Sequence, residues 1–338
     1  MPNKEISLLD LADKFGYFHI KIDQRFLKEL LVKATNDEKP HCNAALIKDM
    51  GMKPTPNKNY CYTVYSWTNC DKTIPLEKLA KIARQAAYSS TAIESKILSI
   101  KAGQHGGEVR PKFPIKFSKE LGSMIGHILG DGSISADYKQ VFFSNTNKEL
   151  LKEFANNMDE IFRIKPRIWM QRKTIAFKEK TRWERRLKSI DELEAGKSCS
   201  LFYPATIGLI LNEIFEQFAI GKSKKLPEII FRLNKDFKRG LIRAFFDDEG
   251  TVDINSHTIR LFQDNENILE AFRLLLSEFG ICAATIRNYT RRGKKHYYFS
   301  IHRKSNFLKF YKEIGFTSKE KLTRLKELSI VKRQSNVL

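Results

Sequence analysis

Two short stretches end in a carboxylate followed at once by glycine, Asp131-Gly132 and Glu249-Gly250. A lone acid-glycine pair is most often just the turn that closes a helix. Two of them at equivalent places mean more, because paired carboxylates supply the oxygen ligands that Mg²⁺ prefers. In the second stretch Asp247, Asp248 and Glu249 stand in a row, and it is the register with Gly250 that selects Glu249.

The elements that would position these acids are legible from periodicity. Leu121, Met124, Ile125, Ile128 and Leu129 follow the spacing of one buried helical face, with Ser118 available as N-cap. Gly122, Gly126 and Gly130 recur every fourth residue and form a strip without side-chain bulk. Glycine inside a helix costs roughly 1 kcal/mol against alanine, so close approach of a partner helix should offset it.

That partner lies 118 residues on, at Ile242 to Gly250. The same offset carries Gly122 to Gly240, Gly126 to Ala244 and Gly132 to Gly250, and these four small residues are the expected packing positions of the junction, Gly122 and Gly126 against Gly240 and Ala244. It continues through Val141 and Ile259, Phe143 and Leu261, Asn147 and Asn265, and Phe154 and Phe272. The chain therefore reads as an internal duplication.

The paired stretches resemble the two motifs of single-chain LAGLIDADG homing endonucleases, over roughly residues 117 to 327. The resemblance implies an α+β fold of two pseudo-symmetric αββαββα units joined along their motif helices into a DNA-binding saddle. It implies a site-specific double-strand DNA endonuclease, a hydrolase of phosphodiester bonds, with Mg²⁺ (or Mn²⁺) held by Asp131 and Glu249. The main-chain carbonyls of Gly130 and Asp248 would be the next metal ligands. One departure is that Asp248 stands where the first motif has small Gly130, so the junction cannot be symmetric at that end. Two further functions fall within the same fold: a transcription regulator that does not cut, and a maturase that binds intron RNA. An intein would need a nucleophile at its first residue and a His-Asn ending, whereas the sequence runs from Met-Pro-Asn to Asn-Val-Leu.

Composition points the same way. The formal charge is +21, from 60 Lys and Arg against 39 Asp and Glu, and a polyanion such as double-stranded DNA is the expected partner. Residues 1–105 contribute only 16 basic against 11 acidic residues, so most of the excess lies in the duplicated part. Cys42, Cys61, Cys70, Cys199 and Cys282 have neither zinc-ribbon spacing nor an even count. Without an apolar run of membrane-spanning length or a signal peptide, the expectation is an intracellular, reducing, cytoplasmic setting and no membrane partner. A monomer with internal pseudo-two-fold symmetry follows from the duplication.

Three regions are expected: residues 1–105, a small helical domain similar to repressor-type helix-turn-helix domains; 106–225, the first motif unit; and 226–338, the second. Helices are predicted at Leu8 to Phe15, Phe26 to Ala34, Asn43 to Met50 and Leu76 to Ala86. Ala102 to Pro114, rich in Gly, Pro and charge, reads as a flexible linker.

Each unit's strands would present alternating side chains to base edges. The candidates are Gln140, Ser144, Arg167, Gln171, Arg260, Arg287, Asn288 and Tyr298, each equally readable as a solvated strand residue. Arg291, Arg292, Lys294 and Lys295 form a basic hairpin tip suited to phosphates. Matching Lys225-Leu226 with Lys321-Leu322 leaves 22 extra residues in the first unit, including the run Lys178 to Arg186, read as a phosphate-binding loop or a solvated helix. His127 is expected to be packed rather than catalytic, and Lys197, Arg303 and Lys304 are the basic residues considered for assistance in catalysis.

Overall fold

The computed structural model describes residues 5–9, 18–56, 58, 60–103, 107–135, 140–171, 183–215, 218–220 and 223–330. The N-terminal region contains β1 (Glu5–Ile6), β2 (Phe18–Ile22), α1 (Gln24–Thr35), α2 (Ala44–Asp49), α3 (Tyr62–Asn69), β3 (Ile74–Pro75), α4 (Leu76–Gln85), α5 (Ser90–Glu94) and β4 (Ile97–Ala102). The first unit follows with β5 (Ile115–Lys116), α6 (Lys119–Leu129), β6 (Gly132–Ile134), β7 (Gln140–Asn145), α7 (Lys148–Phe162), β8 (Arg167–Gln171), β9 (Trp183–Leu187), β10 (Cys199–Pro204), α8 (Ala205–Phe215), β11 (Ala219–Ile220) and β12 (Ser223–Lys224). The second contains α9 (Lys235–Glu249), β13 (Gly250–Asp253), β14 (Thr258–Gln263), α10 (Glu266–Glu278), β15 (Arg287–Arg291), β16 (Lys294–Ile301), α11 (Lys304–Glu313) and α12 (Lys319–Ile330).

The fold is α+β, and the duplication is visible in its details. β7 and β14 start and end 118 residues apart, and α7 and α10 start at the same offset. Asn147 and Asn265 cap those two helices, each accepting from the main-chain N–H two residues on, at 2.8 and 3.0 Å. The core strands run β6-β7-β10-β8 in one unit and β13-β14-β16-β15 in the other, antiparallel throughout. On the helix side Val141 and Phe143 are fully buried, with the Phe143 ring 4.8 Å from that of Phe154. The equivalent residues Ile259 and Leu261 are buried as well, and Phe272 stacks at 4.2 Å on Phe245 of α9.

The N-terminal region is not purely helical. Phe18, Ile20 and Ile22 alternate with polar residues and form the centre of a sheet ordered β3-β2-β4, against which α4 packs, with α1 packed in turn on α3 and α4. The expected helix at Leu8 to Phe15 falls largely outside the described residues. Helices α1, α2 and α4 lie where periodicity placed them.

The linker expectation is also corrected. Val109 pairs with Ile100 in an antiparallel bridge, Arg110 N–H donates to Phe162 O at 3.0 Å, and Thr206 Oγ1 donates to Gly107 O at 2.6 Å. Strand β1 returns to pair with β5 beyond this segment. Residues 107–116 thus bind the N-terminal region to the first unit.

The extra residues of the first unit add an edge strand. Strand pairing relates Leu201 to Phe299, an offset of 98, so the surplus before β10 is 20 residues rather than 22. The described part of the Lys178 to Arg186 run is β9, paired with β8, and is neither a loop nor a helix. Among the described residues no helix is long and apolar enough to cross a membrane.

Candidate active site

Helices α6 and α9 cross at backbone contact. A Cβ added at Gly122 would sit 2.0 Å from the Phe237 carbonyl oxygen, and one at Gly240 would sit 2.0 Å from the Lys119 carbonyl oxygen. These contacts are reciprocal under the 118-residue offset, as a two-fold-like junction requires. Further along, a Cβ at Gly126 would meet Leu241 O at 2.5 Å and the Ala244 methyl at 2.9 Å. Ser118 and Asn234 cap the two helices, and Asn234 Nδ2 also reaches across to Phe117 O at 2.7 Å.

The three consecutive acids of α9 have three different surroundings. Asp247 is buried and accepts from the main-chain N–H groups of Thr317 and Ser318 at 2.8 and 3.0 Å, fixing the approach to α12. Burial pushes its carboxyl up to about 6 against those two donors. Asp248 has a fully buried side chain held by His127, while the residue as a whole keeps partial solvent access, so its accessible part is main chain. Glu249 is left facing Asp131.

Asp131 and Glu249 have matched supports. Asn145 Nδ2 donates to Asp131 Oδ2 at 2.9 Å, and Gln263 Nε2, at the equivalent position, donates to Glu249 Oε1 at 3.5 Å. Burial pushes both carboxyls up, Glu249 to about 7 with the Asp131 charge adding to the effect. Lys224 pulls back on both, and His127 and Lys321 also pull back on Asp131.

Those two lysines lie among the carboxylates and are the candidate site residues that sequence reasoning missed. Lys224 Nζ donates to Gly130 O, and Lys321 Nζ donates to Phe246 O and Asp247 O, near-equivalent points on the two helix ends. Burial lowers both ammonium pKa values despite the surrounding carboxylates. Each lysine segment is pinned by the opposite unit: Asn265 Nδ2 donates to Lys224 O at 3.0 Å, and Lys319 N–H donates to Glu149 Oε2 at 2.8 Å. The sequence match of Lys225 with Lys321 was one residue away from the pairing seen here.

The basic residues considered for assistance lie elsewhere. Lys197 pairs with Glu184 and Glu194, Lys304 Nζ donates to Ile330 O, and Arg303 precedes α11. Among the described residues no three His, Cys, Asp or Glu side chains form a metal cluster. Two carboxylates, Glu249 raised by the charge of Asp131, still suit a divalent cation, provided water and a substrate phosphate complete its shell. The Gly130 carbonyl already accepts from Lys224, which makes it a poorer ligand than the carboxylates.

Residues 236–315, from α9 to the start of the turn after α11, match the family model of the LAGLIDADG-like domain. The chain carries a LAGLIDADG-like domain. Curated relatives match over about two thirds of it: 26% identity over 221 residues with glutamine--fructose-6-phosphate aminotransferase of Methanocaldococcus jannaschii, 25% over 215 with its RNA polymerase subunit Rpo1C, and 28% over 229 with a replication factor C small subunit of Thermococcus kodakarensis. These matches cover 64, 63 and 66% of this chain but only 18, 21 and 22% of the relatives, so the chain spans about a fifth of their length. Among solved structures, variants of the homing endonuclease I-DmoI are 17% identical with a TM-score of 0.39, covering 62% of this chain and 98% of theirs. Full-length WhiA of Thermotoga maritima is 17% or less alike by the same measure, at 16% identity and a TM-score of 0.38, covering 65 and 64%. At such scores these likenesses add nothing to the family-model match.

The sheet faces turned away from the helices carry most of the expected base readers. In the first unit Gln140, Ser144, Arg167 and Gln171 alternate with buried Val141, Phe143, Ile168 and Met170. Ser200 accepts from Gln171 Nε2 at 2.8 Å and shares a hydrogen bond with Ser144, joining three strands on that face. In the LAGLIDADG-like half Arg260, Arg287 and Tyr298 share one face, Tyr298 being paired with both Phe262 and Arg287. Asn288 pairs with Tyr297 and alternates onto the opposite face, so it leaves the set. Arg291, Arg292, Lys294 and Lys295 are exposed at the β15–β16 tip, where Arg292 and Gly293 both have positive φ, 51° and 74°.

Proposed function

We propose that the protein is a metal-dependent, site-specific endonuclease of double-stranded DNA. The observation that carries this is the convergence at the two-fold-like junction of one carboxylate and one half-buried lysine from each unit, Asp131 and Lys224 from the first and Glu249 and Lys321 from the second. Two strands of a duplex are related by a local two-fold, and a duplicated site answers to that symmetry. The charge of +21 and the basic β15–β16 tip suit the DNA backbone. The match of one stretch to fractions of an aminotransferase, a polymerase subunit and a replication factor fits a module that is carried independently of its host's activity, as a mobile element would be.

In this reading Asp131 and Glu249 hold Mg²⁺ or Mn²⁺, which when bound supplies charge neutralisation at the phosphate and a lowered pKa for the attacking water. Asn145 and Gln263 keep the carboxylates oriented. Lys224 and Lys321, with lowered pKa values, offset the charge that grows on the phosphate oxygens and hold a proton for the leaving oxygen. The open sheet faces read base edges, with Gln140, Ser144, Arg167 and Gln171 in one half-site and Arg260, Arg287 and Tyr298 in the other.

The test is Mg²⁺-dependent cutting of a DNA library that includes the gene's own flanks, with wild type, Asp131→Asn and Glu249→Gln. Discrete double-strand breaks, reduced roughly 10²-fold or more in both variants, are expected. Sequence-specific binding with no cutting would replace the nuclease by a regulator, and preferential binding of intron RNA would replace it by a maturase.

A further inference from the structure

The Asp131 end of the junction contains a buried chain of charges that the Glu249 end lacks. Asp248 reaches from α9 into the space left by Gly130, where an added Cβ would sit 2.5 Å from Asp248 Oδ2. There its two carboxylate oxygens lie 3.1 and 3.0 Å from His127 Nδ1, and its Oδ2 accepts from the Asp131 main-chain N–H at 3.4 Å. Behind the imidazole, Nε2 lies 3.8 Å from Glu153 Oε2. Glu153 in turn accepts from Ser123 Oγ at 2.9 Å and pairs with Arg243 of α9. The His127 and Asp248 side chains are both fully buried.

Nothing equivalent can form on the other side. The 118-residue offset takes His127 to Phe245, Asp248 back to Gly130, Glu153 to Ala271 and Arg243 back to Ile125. The main chain at Asp131 is therefore anchored through Asp248 and His127 to both motif helices, whereas the Glu249 end is held within its own unit, by Gln263 and by the segment before α12 that binds Asp247.

We propose that His127 is a positioning residue for the Asp131 half of the site, acting through Asp248, and that the two halves consequently hold the metal and cut their strands unequally. This rests on the nuclease reading given above. Preorganisation at Asp131 removes a reorganisation that Glu249 must undergo when it engages a ligand.

The test compares wild type, His127→Phe and the double variant His127→Phe/Asp248→Gly, which gives the Asp131 end the residues found at its mate. Mn²⁺ alone is titrated by electron paramagnetic resonance, and strand-resolved nicking is timed on a cut duplex, with Asp131→Asn marking the strand that the Asp131 half serves. Wild type is expected to bind two Mn²⁺ with affinities at least about fivefold apart and to cut the Asp131 strand faster. His127→Phe should slow that strand about tenfold and leave the other within twofold, and the folded double variant should bring both affinities and both rates within about twofold. A double variant that keeps the wild-type ratios, or a loss shared equally by both strands, would overturn the assignment and leave His127 a packing residue. If wild type cuts neither strand the nuclease reading fails, and the Mn²⁺ isotherms of the same three proteins still decide the question of unequal halves.

Discussion

At one end of the helix junction a glycine precedes the acid, and at the other an aspartate does. The backbones there are near copies: reciprocal glycine contacts, capped helices and a strand leaving at once from each acid. The side chains around them are not. Asp131 rests beside a buried Asp248–His127–Glu153–Arg243 chain, while the surroundings of Glu249 are apolar or small at the corresponding places. A duplicated fold can thus fix where two carboxylates lie and leave their electrostatics free to diverge. Placement follows from glycine and the crossing of two helices, whereas reactivity follows from a few buried polar groups.

The most severe way to break the equivalence is at the shared backbone contact. Gly240→Ala places a methyl where the Lys119 carbonyl lies, so the helices must separate, at a cost of about 3 kcal/mol or more. Ala244→Gly, four residues on, only removes a methyl and should cost about 1 kcal/mol. Denaturant midpoints of the two variants measure the contrast.

The lysines come next. Lys224→Met and Lys321→Met should each slow cutting roughly 10²-fold without loss of DNA affinity, and a strand-resolved assay should show each slowing one strand more than the other. Equal effects on both strands would mean that the two lysines act as one shared cluster.

Smaller is the effect of charge at Glu249 on the fold itself. Its carboxyl is raised to about 7, so folding favours the neutral form, and the ionised form weakens the fold as pH rises from the usual carboxylate range through 7. Glu249→Gln is expected to melt a few degrees above wild type at pH 8 in the absence of metal, with the difference gone by pH 4. Melting curves at the two pH values check the sign.

The smallest effect concerns the basic tip of one unit only. Replacing Arg291, Arg292, Lys294 and Lys295 by alanine should lower the salt slope of DNA binding by about 3 to 4 and leave the chosen sequence unchanged. Binding isotherms across a salt series measure it.

Much of the scaffold could be read beforehand, because its causes are local or periodic. Small residues at every fourth position, the asparagines that cap α7 and α10, and the alternation of β7 and β14 all leave marks in sequence. Strands β2 and β4 left a mark too, since Phe18, Ile20 and Ile22 alternate cleanly, but the helices between them masked it. Lys224 was less legible: the neighbouring Lys225 offered an equally good sequence match, and only three-dimensional placement separates an exposed lysine from a half-buried one among carboxylates. The Asp248–His127 pair spans 121 positions and depends on a cavity left by a glycine, which no local pattern encodes.

The most direct measurement is anomalous diffraction from crystals of the protein grown with target DNA and Mn²⁺. Anomalous peaks at Asp131 and at Glu249, with Lys224 and Lys321 facing the flanking phosphates, are the expected result. Mn²⁺ bound away from these carboxylates, or DNA seated on the saddle with no cation between them, would contradict the assignment of the junction as a metal-dependent active site.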